Sequence, residues 1–277
     1  MVLSIGKLAV GQERYYEQQV AQGLDDYFTG RGESPGRWLG RGAAALGLRG
    51  KVEDGELSRL MAGRDPSTGK TLREQPVKVA ALDLTFSAPK SVSVLHAVSD
   101  ERVSAALVAC HEEAVEAALG YLEQTAVLVS RRTGAGLTLH EGGGFVTAAF
   151  RHRMSRALDP QLHTHCVSAN MARGKDGRWT ALHHPTLFRA ARTAGYLYQA
   201  HLRALVSERL GLEWAPVRKG AAELVAIDRE VIEEFSRRRH EMRRAAQEGG
   251  IALSSKAASQ AAARAWTSSR HEPVSIP

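Results

Sequence analysis

Cysteine is scarce in this chain. Cys110 and Cys166 are the two in 277 residues, they stand far apart, and they form no CxxC pair. That excludes a disulfide framework and makes a reducing compartment the expectation. Long apolar runs are also missing. Nothing approaches the roughly 18 consecutive apolar residues of a membrane span. The opening MVLSIGKLAVGQERYY has no apolar stretch long enough for a secretory signal. A soluble, cytoplasmic protein is expected. Internal repeats are absent, which excludes solenoids and propellers. Acidic residues are in deficit, 30 against 37 Lys and Arg, leaving a formal charge of +7 and a pI near 9.6. A polyanionic partner, nucleic acid or an anionic membrane surface, suits that balance.

What is present is enough to fold. The hydrophobic share of 43% supplies the core of one large domain or two small ones. Val2–Ile5 reads as a strand, followed by a helix over AVGQERYYEQQVAQ that ends near Gly23. Residues 29–76, rich in Gly, Arg and Ser, read as loops around a short helix near Ala43–Leu48. Their PSTGK lacks the first glycine and the preceding strand of a phosphate loop. VKVAALDLTFS (77–87) reads as a central strand. A helix from Ser99, its predicted N-cap, to about Gln124 comes next. Four strands follow, Val127–Arg132, Leu137–His140, Gly144–Arg153 and Leu162–Met171, then a hairpin at KDGRWTAL. Helices are predicted from Pro185 to Leu210, over 229–247 behind Asp228, and from Ser254 or Ser255 to Trp266. This order implies an α+β fold: an antiparallel sheet flanked by helices, with a helical C-terminal appendage.

Chemistry concentrates in RHRMSRALDPQLHTHCVSANM (151–171). Side chains alternate along a strand, so His163 and His165 share a face. If GFVTAAFRHR and LHTHCVSANM pair as a hairpin, His152 lies opposite or diagonal to His163. Three neutral imidazoles on one face can hold a divalent metal and leave coordination positions open, as a catalytic site requires. The donor set accommodates Zn, Ni, Cu or Mn, so it does not fix the ion's identity; Mg²⁺ or Mn²⁺ is the expectation for the working ion at a phosphodiester. The bland alternative is a solvated HxH face.

Tyr15, Tyr16 and Tyr27 are three of six tyrosines and fall within thirteen positions. Adjacent helical residues diverge by about 100°, so one of Tyr15 and Tyr16 can face a site while the other packs. A phenol is a poor nucleophile at neutral pH, but a metal polarising a phosphodiester lowers the demand on it. Asp83 interrupts the apolar run VAALDLTF. Three readings stand: it holds the far nitrogen of a ligand histidine, it accepts the tyrosine proton, or it is a solvent-facing strand residue.

These segments together resemble the MobF-type conjugative relaxases, the TrwC/TraI class of HUH endonucleases. The resemblance rests on the Tyr15-Tyr16 pair, the DDYF that follows, LDLTFSAPKSVSVL, the triad segment, and HPTLFRAARTAGYLYQAHLRALVSERLG. It runs along essentially the whole chain. It implies a palm-like antiparallel sheet over 1–227 and helical fingers over 228–277 that close on single-stranded DNA. It further implies that His152, His163 and His165 bind the metal, that Tyr15 is the nicking nucleophile, and that Asp83 orients the triad or acts as base. Tyr27 matches a second tyrosine cluster used in a later strand transfer. Phe28 replaces a second phenol that some members carry there. The implied substrate is an origin of transfer, bound as a hairpin and adjoining single strand. The implied partners are relaxosome accessory proteins and a type IV secretion coupling protein. A helicase region usually follows in that family and does not follow within these residues.

Basic residues near the triad, Lys90, Arg151, Arg153 and Arg156, are candidate DNA contacts, as are Arg237–Arg239 with Arg243–Arg244. Three other readings compete. A rolling-circle replication initiator shares the chemistry but not LTFSAPKS. A single-stranded DNA-binding module would be indifferent to Tyr15→Phe. A small-molecule metal hydrolase has no use for the tyrosines or the charge.

Overall fold

VAALDLTF supplies the organising strand. In the computed structural model, which describes residues 3–12, 35–75, 77–133, 136–155, 158–237 and 240, strand β3 spans Ala81–Ser87. Leu82, Leu84 and Phe86 are fully buried on one face, while Ala81, Asp83 and Thr85 point to the other. β3 lies inside a five-stranded antiparallel sheet with β1 (Leu3–Leu8), β2 (Arg37–Leu39), β6 (Thr147–Met154) and β7 (Pro160–Ala169). The order is β1-β3-β7-β6-β2, so β7 is central.

The first face is covered by two long helices, α4 (Glu101–Ala126) and α5 (His184–Leu210), which pack on each other. Leu107, Cys110, Ala114, Leu122, Tyr198 and Leu202 form the core with Leu82, Leu84, Phe86, Leu162 and Cys166. Pro185 stands in the first turn of α5, and Gly211 ends it in the left-handed conformation at φ 65°. The start of α4 differs from expectation. Asp100 is the N-cap, accepting from the Val103 amide at 2.9 Å, and Ser99 instead ends the preceding helix α3 (Lys90–Val98).

Among the described residues, the second face is only partly covered. Within 29–76, expected to be loops around one helix, the described part contains β2 and the helices α1 (Arg41–Ala45) and α2 (Glu56–Met61). Leu57, Leu60, Met61 and Ala43 pack there against Ala81, Val146, Ala148, Phe150, Val167 and Ala169. The PSTGK turn does not cradle phosphate, because the Ser67 and Thr68 amides are engaged by Asp65 Oδ1 at 2.9 and 3.0 Å. Buried Glu123 clamps two loops across the edge of the molecule. Its Oε1 accepts from the Arg41 amide at 2.8 Å and the Phe145 amide at 2.7 Å. A side chain at Gly144, φ 122°, would collide with that carboxylate.

A separate ribbon, β4 (Leu128–Thr133) and β5 (Gly136–Glu141), and the short pair β8 (Ala172–Arg173) and β9 (Trp179–Thr180) complete the strands. KDGRWTAL supplies the turn, through Gly177 at φ 80°, and β9 of this hairpin, while its first strand β8 lies just upstream. The helix expected over 229–247 is interrupted: α6 spans Arg229–Glu234, Phe235 and Ser236 break it, and Arg237 and His240 are helical again, with 238–239 and 241–247 outside the described residues. The chain turns at Phe235, which buries Ser236 and brings Arg237 to Asp159. Of the helix expected over AVGQERYYEQQVAQ, Ala9–Gln12 form a turn instead, closed by the Gln12 amide on the Ala9 carbonyl, and the rest lies outside the described residues, as do the helix expected after Ser254 and most of the appendage over 228–277. No helix among the described residues is long and apolar enough to cross a membrane.

Candidate active site

The second core cluster stops at Phe150 on β6, Val167 on β7 and Ala81 on β3. The next positions on that face are His152, His165 and Asp83. Strand register sets them together: His152 pairs directly with His163, Thr85 with His165, and Ser87 with His163. The hairpin assumed from sequence therefore exists, with a bulge just beyond His152. Three adjacent strands contribute, so the constellation is built on the rigid middle of the sheet.

The ring centroids stand 5.3 Å apart for His152 and His163, 5.2 Å for His152 and His165, and 5.0 Å for His163 and His165. A nitrogen about 2.1 Å from a cation puts its ring centroid roughly 3.2 Å away, and three such rings at tetrahedral angles stand roughly 5.2 Å apart. The spacing fits an ion. Among the described residues the ligating atoms are not gathered onto a common point.

Hydrogen bonds select the tautomers. His165 Nδ1 donates to Asp83 Oδ2 at 2.8 Å, and Thr85 Oγ1 donates to Asp83 Oδ1 at 3.2 Å. His163 Nδ1 donates to the Gln161 carbonyl at 2.7 Å. Each bond leaves the Nε2 lone pair of its ring facing outward as a ligand. His152 is 4% exposed, and burial, reinforced by His163 and His165, pushes its pKa down to about 3. It stays neutral at physiological pH and keeps a lone pair. Asp83, 8% exposed, lies within hydrogen-bond reach of His165, where the first of its sequence-read roles would put it, and its burial is offset by the hydrogen bonds from His165 and Thr85.

Sequence reasoning missed the support behind the triad. Thr164 lies between His163 and His165 on the opposite face of β7, and His111 Nε2 bonds its hydroxyl at 2.8 Å. His111 Nδ1 bonds the Tyr198 hydroxyl at 2.7 Å. This fully buried chain ties α4 and α5 to the strand carrying two triad histidines. The signal was available, because His111 falls in the apolar stripe Leu107, Cys110, Ala114, Val115, Ala118 of α4.

The basic residues divide differently from expectation. Arg151 is on the helix side of β6, away from the triad, because it alternates with His152. Its Nη1 donates to Glu112 at 2.9 Å, which corrects its reading as a DNA contact. Arg153 lies near Arg151 and helps to lower its pKa, below the effect of burial. Lys90 Nζ donates to the Pro160 carbonyl at 2.8 Å, tying α3 to the start of β7. Burial lowers its pKa, opposed by Asp159 and Glu223. In this structure Lys90 is a structural tie beside the triad hairpin. Tyr15, Tyr16, Tyr27, Phe28 and Arg156 lie outside the described residues, as do Arg238, Arg239, Arg243, Arg244 and Trp266.

Comparison with known proteins gives one answer from three directions. The TrwC relaxase family model matches residues 9–274. Multifunctional conjugation protein TraI of Escherichia coli is 34% identical over 258 residues, covering 87% of this chain and 14% of that protein. TraI of Escherichia coli strain K12 is 37% identical over 164 residues, covering 57% and 9%. The chain therefore spans about a seventh or less of these relatives. Conjugative relaxase TrwC in complex with oriT DNA, in a copper-bound structure, superposes with a TM-score of 0.82 at 32% identity. That match covers 99% of this chain and 93% of the TrwC chain. A metal-bound TrwC–oriT structure gives 0.82 at 31% identity, covering 99% and 92%. With the family model running nearly end to end and the fold agreeing throughout, this chain belongs to the TrwC relaxase family.

Proposed function

We propose that this chain is a DNA relaxase. It nicks one strand at a plasmid origin of transfer through a covalent 5'-phosphotyrosyl intermediate, and later transfers that strand, to start and end bacterial conjugation. The observation that carries the proposal is the set of three imidazoles on adjacent strands, two with Nδ1 engaged so that Nε2 is presented. Family membership and the oriT DNA held by the TrwC structures support the same reading.

His152, His163 and His165 hold a divalent cation, with Mg²⁺ or Mn²⁺ as the working ion. The bound cation supplies Lewis-acid polarisation of a non-bridging oxygen of the scissile phosphate. Asp83 fixes the His165 tautomer and offsets the charge of the loaded site. The Tyr15 oxygen attacks phosphorus, and its phenolic proton passes through solvent to the departing 3'-oxygen. One P–O bond forms and one breaks, and the 3'-oxygen leaves to become a hydroxyl. The phosphotyrosyl ester is close in energy to the diester consumed, so the 3'-hydroxyl reseals the strand by the reverse reaction without a nucleotide cofactor. Tyr16 is the alternative first nucleophile, and Tyr27 serves the second transfer.

The described tyrosines, Tyr121, Tyr196 and Tyr198, belong to α4 and α5, the helices that cover the other face of the sheet. Arg156 and Arg153 contact the DNA backbone. Residues 1–227 form the palm, and 228–277 close over the single strand. Hairpin and single-stranded oriT DNA are the substrate, with relaxosome proteins and a secretion coupling protein as partners in the bacterial cytoplasm. The test is cleavage of a labelled single-stranded oligonucleotide carrying a candidate transfer origin, with Mg²⁺ or Mn²⁺. A discrete product is expected, lost on chelation and in His163→Ala. Cleavage that persists in both cases contradicts the metal assignment.

A further inference from the structure

The turn between β6 and β7 is gripped by charges that neither hydrophobic core requires. Asp159 is 1% exposed, and its Oδ1 accepts from Arg237 Nε at 2.9 Å. Arg237 Nη2 also donates to the Leu158 carbonyl at 3.4 Å. Lys90 donates to the next carbonyl in line but one, that of Pro160, at 2.8 Å. Three consecutive residues, 158–160, are thus held from α3 on one side and from the segment after α6 on the other.

The local backbone needs such a hold. Leu158 has φ 58°, a left-handed conformation that L-residues adopt at a cost of about 1–2 kcal/mol. The turn closes on itself through Ser155: its amide donates to the Asp159 carbonyl at 2.8 Å, and its hydroxyl accepts from the Asp159 amide at 3.2 Å. Burying the Asp159 carboxylate is costly unless cations compensate it, and Arg237 does so from a distant part of the chain. Immediately downstream, Pro160 pairs with Met154 across the bulge, and the Gln161 carbonyl takes the Nδ1 proton of His163. A shift of the turn therefore moves the one carbonyl that sets the tautomer and plane of the His163 ring.

We propose that Asp159 is a positioning residue for His163, with Arg237 as its handle. The ion pair holds the 158–160 turn so that Gln161 presents its carbonyl to His163, and this gives the C-terminal segment a lever on the metal hairpin. The inference rests on His163 being a metal ligand and extends that reading to two residues remote from the ion.

The test is calorimetric titration of the full chain with Mn²⁺ alone, beside thermal unfolding without metal. Wild type is compared with His163→Ala, Asp159→Asn, Arg237→Gln and the double variant. Asp159→Asn and Arg237→Gln each weaken Mn²⁺ binding by roughly 3- to 10-fold, less than the roughly 10–100-fold typical of a direct outer-sphere partner. The double variant is no weaker than Asp159→Asn, because the pair acts as a unit. A lowered melting temperature with unchanged Mn²⁺ affinity overturns the proposal. If Asp159→Asn does not fold, Arg237→Gln decides between the same two outcomes. If wild type and His163→Ala bind Mn²⁺ alike, the triad reading itself fails and takes this proposal with it.

Discussion

His111 makes the stability of this protein depend on pH in a calculable way. It is fully buried between Tyr198 and Thr164, and its pKa is lowered from 6.5 to about 3, chiefly by burial and then by His163 and nearby cations. Unfolded, it titrates near 6.5. Below that pH the unfolded chain binds a proton that the folded chain refuses, so stability is complete above about pH 6.5 and falls as pH drops toward 3. From pH 7 to pH 5 the loss from this group is about 2 kcal/mol, from 1.36 kcal/mol per pH unit below the unfolded pKa. The assay is urea unfolding of wild type and His111→Gln at both pH values. Glutamine does not titrate, so the variant should lose about 2 kcal/mol less than wild type over that interval. Equal losses in the two proteins would refute a buried neutral His111. The amide also retains hydrogen-bonding capacity toward Thr164, so a large drop at pH 7 is not expected.

Other predictions concern the site and its frame. Asp83→Asn removes the acceptor that fixes His165 and should weaken Mn²⁺ binding by about 10–100-fold by calorimetry, with the sheet intact by circular dichroism. Glu123→Ala leaves two backbone amides without their acceptor and should cost about 2–4 kcal/mol in urea unfolding. Arg151→Ala should leave the salt dependence of DNA binding unchanged while lowering stability, because its guanidinium faces Glu112 on the helix side; a shallower slope of log affinity against log salt would return it to the DNA surface.

The parts of the site readable from sequence are those fixed by period-two alternation. VAALDLTF, GFVTAAFRHR and LHTHCVSANM carry their faces in the order of their residues, which put His163 and His165 on one face; bringing His152 opposite them required an assumed register, which the strand pairing supplies. The same alternation sends Arg151 to the helix side, a consequence that its closeness in sequence to His152 obscures. The segment 35–75 was legible only in its first short helix, expected near Ala43–Leu48 and found at Arg41–Ala45. β2 is three residues long, α1 and α2 are five and six, and none is long enough to display a period. Ser99 and Asp100 are both good caps, and the choice fell to the residue that could reach the Val103 amide. The Asp159–Arg237 pair joins residues 78 positions apart, which no local pattern encodes.

The central claim is a covalent tyrosine link to DNA made beside the histidine triad, and the direct measurement is the site of that link. Labelled single-stranded oriT DNA is incubated with the protein and Mg²⁺ or Mn²⁺, the mixture is denatured, and the adduct is digested and mapped by mass spectrometry. The account predicts a nucleotide on the peptide bearing Tyr15, with the adduct lost in Tyr15→Phe and on chelation. An adduct that survives Tyr15→Phe moves the chemistry to Tyr16 or Tyr27. No adduct, with tight and salt-sensitive DNA binding retained, contradicts the nicking mechanism and leaves a binding module in its place.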